Sequence, residues 1–217
     1  MTEHSLLQEI EEDLQRQKFE ALWKRFGTYI IGGALLVVLV TAAYSSWKSY
    51  RIEKRQELTA AILDITTGKE TDKAKQIAAL ESFAKNEAST DQAVLARFHA
   101  AAIATKDGKS DQALALYEDL AADTQLEPLF HDLAIVLAVQ SQLDKGDPSV
   151  LTTRLEPLLA ESPWRVTAKD YSAHLALKVG DRAKAKQLFT DVTQDDRASP
   201  SQKQRANDVL RWLNEGS

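Results

Sequence analysis

The chain has 217 residues, a formal net charge of −5, no cysteine, and 44% hydrophobic residues, enough for a sizeable core. The missing cysteine excludes disulfides, thiolate metal sites and a cysteine-linked lipid anchor. From Gln56 onward 19 Lys and Arg face 25 Asp and Glu, a net charge of −6. An acidic domain without a basic stripe is a poor partner for nucleic acid and for an anionic lipid surface.

Residues 1–25 form the first element, a tail. Ser5 followed three residues later by Gln8 is a capping-box pattern. Leu7, Ile10 and Leu14 then recur at helical spacing, with Glu11, Glu12 and Asp13 between them. This predicts a short amphipathic helix with an acidic face. It reads either as a solvated extension of the apolar segment beyond it or as a docking helix for a cytoplasmic partner.

Residues 26–47 read FGTYIIGGALLVVLVTAAYSSW, without a charge. As a helix they rise about 33 Å, enough for a hydrocarbon core of about 30 Å. Trp23 and Tyr29 stand at one end, and Tyr44, Trp47 and Tyr50 at the other, as in an aromatic belt. A buried core helix seldom runs so long without a polar face. The pattern Val40-Thr41-Ala42 resembles a signal-peptide cleavage site, but a signal n-region is short and basic. Here Glu3, Glu9, Glu11, Glu12, Asp13 and Glu20 precede the apolar run, so an uncleaved anchor is expected. Arg16, Lys18, Lys24 and Arg25 lie before the span, and Lys48, Arg51, Lys54 and Arg55 after it. Four against four leaves the orientation open. Gly32 and Gly33 offer a place where a partner's transmembrane helix can pack.

Residues 48–217 form the large domain. Ser49 to Ile65 contains no Gly or Pro, so the helix continues out of the span. An internal repeat then appears. VLARFHAAAIATKDGKSDQALALYEDL from Val94 and VTAKDYSAHLALKVGDRAKAKQLFTDV from Val166 align without a gap. Gly108 matches Gly180, Ala101 matches Ala173, Ala113 matches Ala185, and Tyr117 matches Phe189. The glycines end a first helix, the alanines let helices approach, and the aromatic rings fill the space between neighbours. Gly68 and Gly146 mark two degenerate units. Four helix–turn–helix units result, roughly 50–86, 91–123, 127–160 and 164–194, with a last helix from Ser199 to Leu213 as a cap. The fold class is all-α, a single N-terminal span followed by a helical solenoid that resembles a tetratricopeptide repeat array. The Trp usual early in the first helix of such a repeat is absent, with Arg97 and Lys169 in its place.

First helices of stacked units line a concave face, and residues one turn apart point the same way. In this register Phe98, Ala102 and Thr105 face the groove in one unit, and Asp170, His174 and Leu177 in another. The mixture of apolar and polar groups suits a peptide-like or helical partner.

Nothing in the sequence builds a catalytic site. His4, His99, His131 and His174 have no metal-ligand spacing, and there is no GxSxG, phosphate loop or GxGxxG. The acidic runs Glu11-Glu12-Asp13 and Asp195-Asp196 read as an exposed helix face and a linker, not as a cleft with separated carboxyl pKa values. No enzyme activity, metal or cofactor is expected.

Pro163-Trp164, the segment AHLALKVGDRAKAKQLF (173–189) and the order tail, span, YRIEKRQELTAA resemble the YfgM family of bacterial inner-membrane proteins. That resemblance implies an accessory subunit of the SecYEG translocon, with the N-terminus cytoplasmic and the repeats periplasmic. It also implies work with the PpiD chaperone and contact with newly secreted polypeptides. An assembly factor of c-type cytochrome maturation, where anchored repeat domains of this kind also occur, is the alternative.

Overall fold

A computed structural model describes residues 3–68, 70–88 and 90–215, with side chains from Trp23 onward except at Thr28, Ile30 and Ala34. The predicted acidic helix face with Leu7, Ile10 and Leu14, and the Ser5–Gln8 cap, lie outside the described side chains. The chain divides into two compact units, Met1–Leu58 and Thr59–Ser217. Each has its own physical logic. Every regular element among the described residues is helical.

The first unit lies within helix α1, which runs over Glu3–Thr67. The Trp23 ring lies 3.5 Å from where a Cβ on Gly27 would stand, an ordinary packing distance. Ile31, Leu35 to Val40, Tyr44 and Trp47 are all exposed. A helix that is apolar on every side and still uncovered by its own chain has the character of a membrane span. Thr41, inside this segment, keeps its hydroxyl satisfied by donating to the Val37 carbonyl at 2.7 Å. This helix is long and apolar enough to cross a membrane. Gly32 and Gly33 are exposed, with no atom of the chain near enough to meet an added Cβ.

Among its described residues the second unit holds the last residues of α1 and eight further helices: α2 (Lys73–Asn86), α3 (Asp91–Lys106), α4 (Ser110–Ala121), α5 (Pro128–Gln142), α6 (Pro148–Leu155), α7 (Arg165–Lys178), α8 (Arg182–Gln194) and α9 (Pro200–Glu215). A single 3-10 turn, Glu156–Leu158, follows α6. From α2 onward each helix packs on the next, so the hairpins α3–α4, α5–α6 and α7–α8 stack in chain order.

Local chemistry sets the ends of these helices. Asp72, Thr90, Asp147 and Asp181 accept backbone N–H bonds at the starts of α2, α3, α6 and α8. Pro128 and Pro148 open α5 and α6, where a missing N–H costs nothing. At α9 the cap is reciprocal. Ser199 N–H donates to Gln202 Oε1 at 2.9 Å, and Gln202 N–H donates back to Ser199 Oγ at 3.3 Å.

The two aligned repeats turn in the same way. Gly108 has φ +74° and Gly180 φ +82°, the left-handed conformation that a side chain disfavours. Lys109 N–H reaches back to the Ala104 carbonyl at 3.0 Å, and Asp181 N–H to the Ala176 carbonyl at 2.9 Å. Both α3 and α7 therefore end in a Schellman motif.

Packing follows the repeat as well. Ala101 and Ala173 are fully buried, as are Ala113 and Ala185 to within 1%. Tyr117 and Phe189 fill the space beneath them, at 5% and 0% exposure. Helix α3 buries five alanines (93, 96, 100, 101 and 104), so its neighbours approach its backbone closely. On α9 Ala206 and Leu213 are buried while Asp208 and Arg211 stay in solvent as an ion pair at 3.0 Å. The helix thus covers the last apolar stripe and presents a wet outer face.

Two substitutions test this core. Gly180 has no neighbour that an added Cβ would strike, so a substitution there meets only the backbone penalty. Gly180→Ala should cost about 1 kcal/mol and Gly180→Val more, by urea unfolding; a neutral Gly180→Val would refute the left-handed turn. Ser172 is buried, with no hydrogen-bond partner for its hydroxyl among the described residues, and its repeat counterpart is the buried Ala100. Ser172→Ala should stabilise the protein by roughly 1 kcal/mol in the same measurement. A loss of stability would show instead that the hydroxyl has a partner.

Candidate functional site

The surface between first helices depends on how each hairpin is latched. Arg97, early in α3, donates to Asp123 beyond the end of α4 at 2.6 Å, and to the Asp119 carbonyl at 3.1 Å. Lys169, at the same place in α7, donates to Asp195 beyond α8 at 3.1 Å. The carboxylates also accept equivalent backbone bonds, from Gln125 N–H at 3.1 Å and Arg197 N–H at 3.0 Å. The cation and the acid are 26 residues apart in both hairpins. A cation in place of the usual Trp therefore does a different job from the indole. It ties the exit of the second helix to the first.

Asp195 is the more deeply set of the two. Its side chain is 3% exposed, and Arg165 adds a fork of two bonds at 2.8 and 2.6 Å. Arg165, then the Arg197 N–H and Lys169 hold its carboxyl well below the usual range against the cost of burial. Arg97, then the Gln125 N–H, lower Asp123 in the same sense. The reading of Asp195-Asp196 as a solvated linker pair is thus corrected. Asp196 is exposed, but Asp195 is a buried anchor whose charge is neutralised by two cations. In the middle hairpin the polarity is reversed. Asp132 on α5 accepts from Ser162 Oγ at 2.7 Å, and that oxygen accepts from Trp164 N–H at 3.1 Å. The Trp164 indole N–H reaches the Leu129 carbonyl at 2.9 Å.

The two predicted groove sets fare differently. Phe98 is half-buried against the first core cluster, its ring 6.3 Å from that of Phe130 and tilted by 42°. It joins α3 to α5. Ala102 lines a cleft of about 250 Å³ with Thr66, His99, Lys106 and Asp107, a cleft that neither Phe98 nor Thr105 lines. Thr105 is exposed, and its hydroxyl donates to the Ala101 carbonyl at 2.9 Å. Asp170, His174 and Leu177, in contrast, come together in one open cleft of about 590 Å³ with Leu143, Tyr171 and Lys178.

That second cleft has an unusual charge balance. Burial pushes the Asp170 carboxyl up, opposed by the positive fields of His174 and of Arg205 on α9. Asp170 Oδ1 lies 3.9 Å from His174 Nε2, and the imidazole meets Phe189 edge-on at 5.2 Å. Burial, reinforced by the Asp170 charge, raises the Tyr171 phenol too. Lys178 is fixed by donating to the carbonyls of Leu143 at 2.9 Å and Asp144 at 2.8 Å, at the end of α5. The cleft therefore has firm polar walls, an apolar side chain, and a carboxylate that lacks full solvation. Such a surface suits an amide-rich or cationic segment of a protein partner. No group of His, Asp and Glu among the described residues is arranged to hold a metal ion.

An all-helical repeat domain with latched hairpins and an inter-helix cleft defines a protein-interaction scaffold. The chain belongs to the tetratricopeptide repeat-like domain family, whose sequence model matches residues 20–209. The match starts ahead of the apolar segment, so span and repeats fall within one family unit. No curated protein and no solved structure matches the chain.

The latch gives a signed prediction. A carboxylate whose folded pKa is depressed contributes stability above its unfolded pKa and loses it as pH falls. Asp195→Ala should therefore cost about 3 kcal/mol at pH 7, because Lys169 loses its buried counter-charge and Arg165 keeps only the exposed Asp196, at 2.7 Å. The gap between variant and wild type should narrow below about pH 4. A gap that does not change with pH would mean that the ion pairs do not carry the effect.

Proposed function

We propose that this protein is a membrane-tethered, non-catalytic scaffold of the bacterial inner membrane that serves the SecYEG translocon. In this reading its N-terminus is cytoplasmic and the repeats are periplasmic. They work beside a PpiD-like chaperone and meet newly secreted polypeptides. The observation that carries the reading is the join of two features in one family unit: an uncovered apolar helix and a tetratricopeptide repeat-like stack. The likeness of YRIEKRQELTAA and of residues 173–189 to the YfgM family supplies the translocon. Tethering raises the local concentration of a weak binder near the exit site, so high affinity is not needed. The Asp170–His174–Leu177 cleft is the surface proposed for the partner.

The test is capture of the tagged full chain in mild detergent, with mass spectrometry of what accompanies it. SecY and a PpiD-like chaperone should be recovered. Recovery of apocytochrome and haem lyase without translocon subunits would replace this reading with the cytochrome-maturation alternative. The cleft is tested in the same experiment. His174→Ala with Leu177→Glu should keep the helical circular dichroism and lower partner recovery about tenfold, the effect of losing a central contact. Wild-type recovery by the folded double variant would move the site elsewhere.

A further inference from the structure

The two flanks of the apolar segment carry equal numbers of cations, but helix geometry makes them unequal. A side chain on an α-helix leans toward the helix N-terminus. Ahead of Phe26 that direction leads away from the apolar segment. Beyond Trp47 it leads back toward it. Arg51 shows the lean directly, with its guanidinium carbon 5.1 Å from the centroid of the Trp47 ring, one turn nearer the apolar residues.

The cations of this flank also share a face. At about 100° per residue, Lys48, Arg51, Lys54 and Arg55 fall within an arc of roughly 120°, together with Tyr44 and Trp47. Glu53 falls on the opposite side and Glu57 at the edge beside Lys54. All of these side chains are exposed. The contact of Lys54 with Glu57, at 3.8 Å between two exposed groups, is too weak to withdraw the lysine. Lys48, Arg51 and Lys54 rise roughly 1.5, 6 and 10 Å beyond Trp47. A headgroup layer is about 5–7 Å deep on each side of the hydrocarbon. The backward-leaning stems of Arg51 and Lys54 cover the remainder.

We propose that Lys48, Arg51 and Lys54, on the helix face they share with Tyr44 and Trp47, form a collar that binds the anionic phospholipid headgroups of one leaflet. The proposal rests on reading residues 26–47 as a membrane span. Arg25 lies with its guanidinium carbon 5.6 Å from the Phe26 ring centroid, so the other flank places one cation beside the apolar segment where this flank places a face of three. The occupant follows from position and charge: the span places this face in the headgroup layer, and three exposed cations there meet negative phosphates.

The test uses the full chain reconstituted into phosphatidylcholine vesicles with trace spin-labelled phosphatidylglycerol or spin-labelled phosphatidylcholine. The fraction of motionally restricted label reports the lipid at the protein surface. The wild type should favour phosphatidylglycerol about fivefold at low salt, the attraction of roughly one fully engaged basic side chain, and lose the preference at high salt. K48Q/R51Q/K54Q should show no preference while restricting phosphatidylcholine as the wild type does, and K24Q/R25Q should keep the preference. Equal loss in both variants, or none in the wild type, overturns the collar. If neither label is restricted by the wild type, the span itself is refuted and the collar with it.

Discussion

A pair of antiparallel helices cannot cover both sides of its own apolar stripe. In residues 59–217 that constraint is met by stacking each hairpin on the next and closing the end with α9. The alanines of α3 let the first hairpins approach closely, and Phe189 and Val192 fill the last interface before the cap. Because the cover for one hairpin comes from the next, the connections matter as much as the helices. The acidic latches of Arg97 to Asp123 and of Lys169 to Asp195 fix the point where the chain leaves one hairpin for the next.

The surface chemistry follows from that arrangement. Burial draws Asp170 partly out of water, and α9, packed on α8, brings Arg205 into its field as an opposing charge. Lys178 is held across to α5 by the carbonyls that end that helix. The cleft is thus assembled from residues distant in sequence, and its polarity is set by helix ends as much as by side-chain charge. Asp195 and Asp170, both within the last hairpin and its exit, are pushed in opposite directions. One is charged because two cations surround it, and the other resists charging because burial outweighs its partners.

Much of this was legible in the chain because it depends on local chemistry. Gly108 and Gly180 announce left-handed turns, Ala101 with Ala173 announces close approach, and Tyr117 with Phe189 announces the filler of each interface. The run 26–47 needs only length and the absence of charge to be recognised. Asp195 was misread because its burial depends on cations 26 and 30 residues away. The spacing of 26 shared with Arg97 and Asp123 was the available signal, and it becomes meaningful only once both exits are seen to fold back. Helical phase places Phe98 on the groove side, and the neighbour it meets there, Phe130, lies 32 residues further along the chain. Gly68 and Gly146 share the spacing of the turn glycines but not the left-handed backbone.

Packing of each helix on its sequence neighbours also shapes how the domain forms. Contacts that are close along the chain cost little loop-closure entropy, and helical domains of this kind fold in microseconds to milliseconds. A hairpin can form as soon as its own two helices are available, and the next one finds its template already in place. With no cysteine in the sequence, no thiol oxidation stands between the extended chain and its native state. Assembly can therefore proceed in chain order from α2, and the reciprocal Ser199–Gln202 cap starts the helix that completes it.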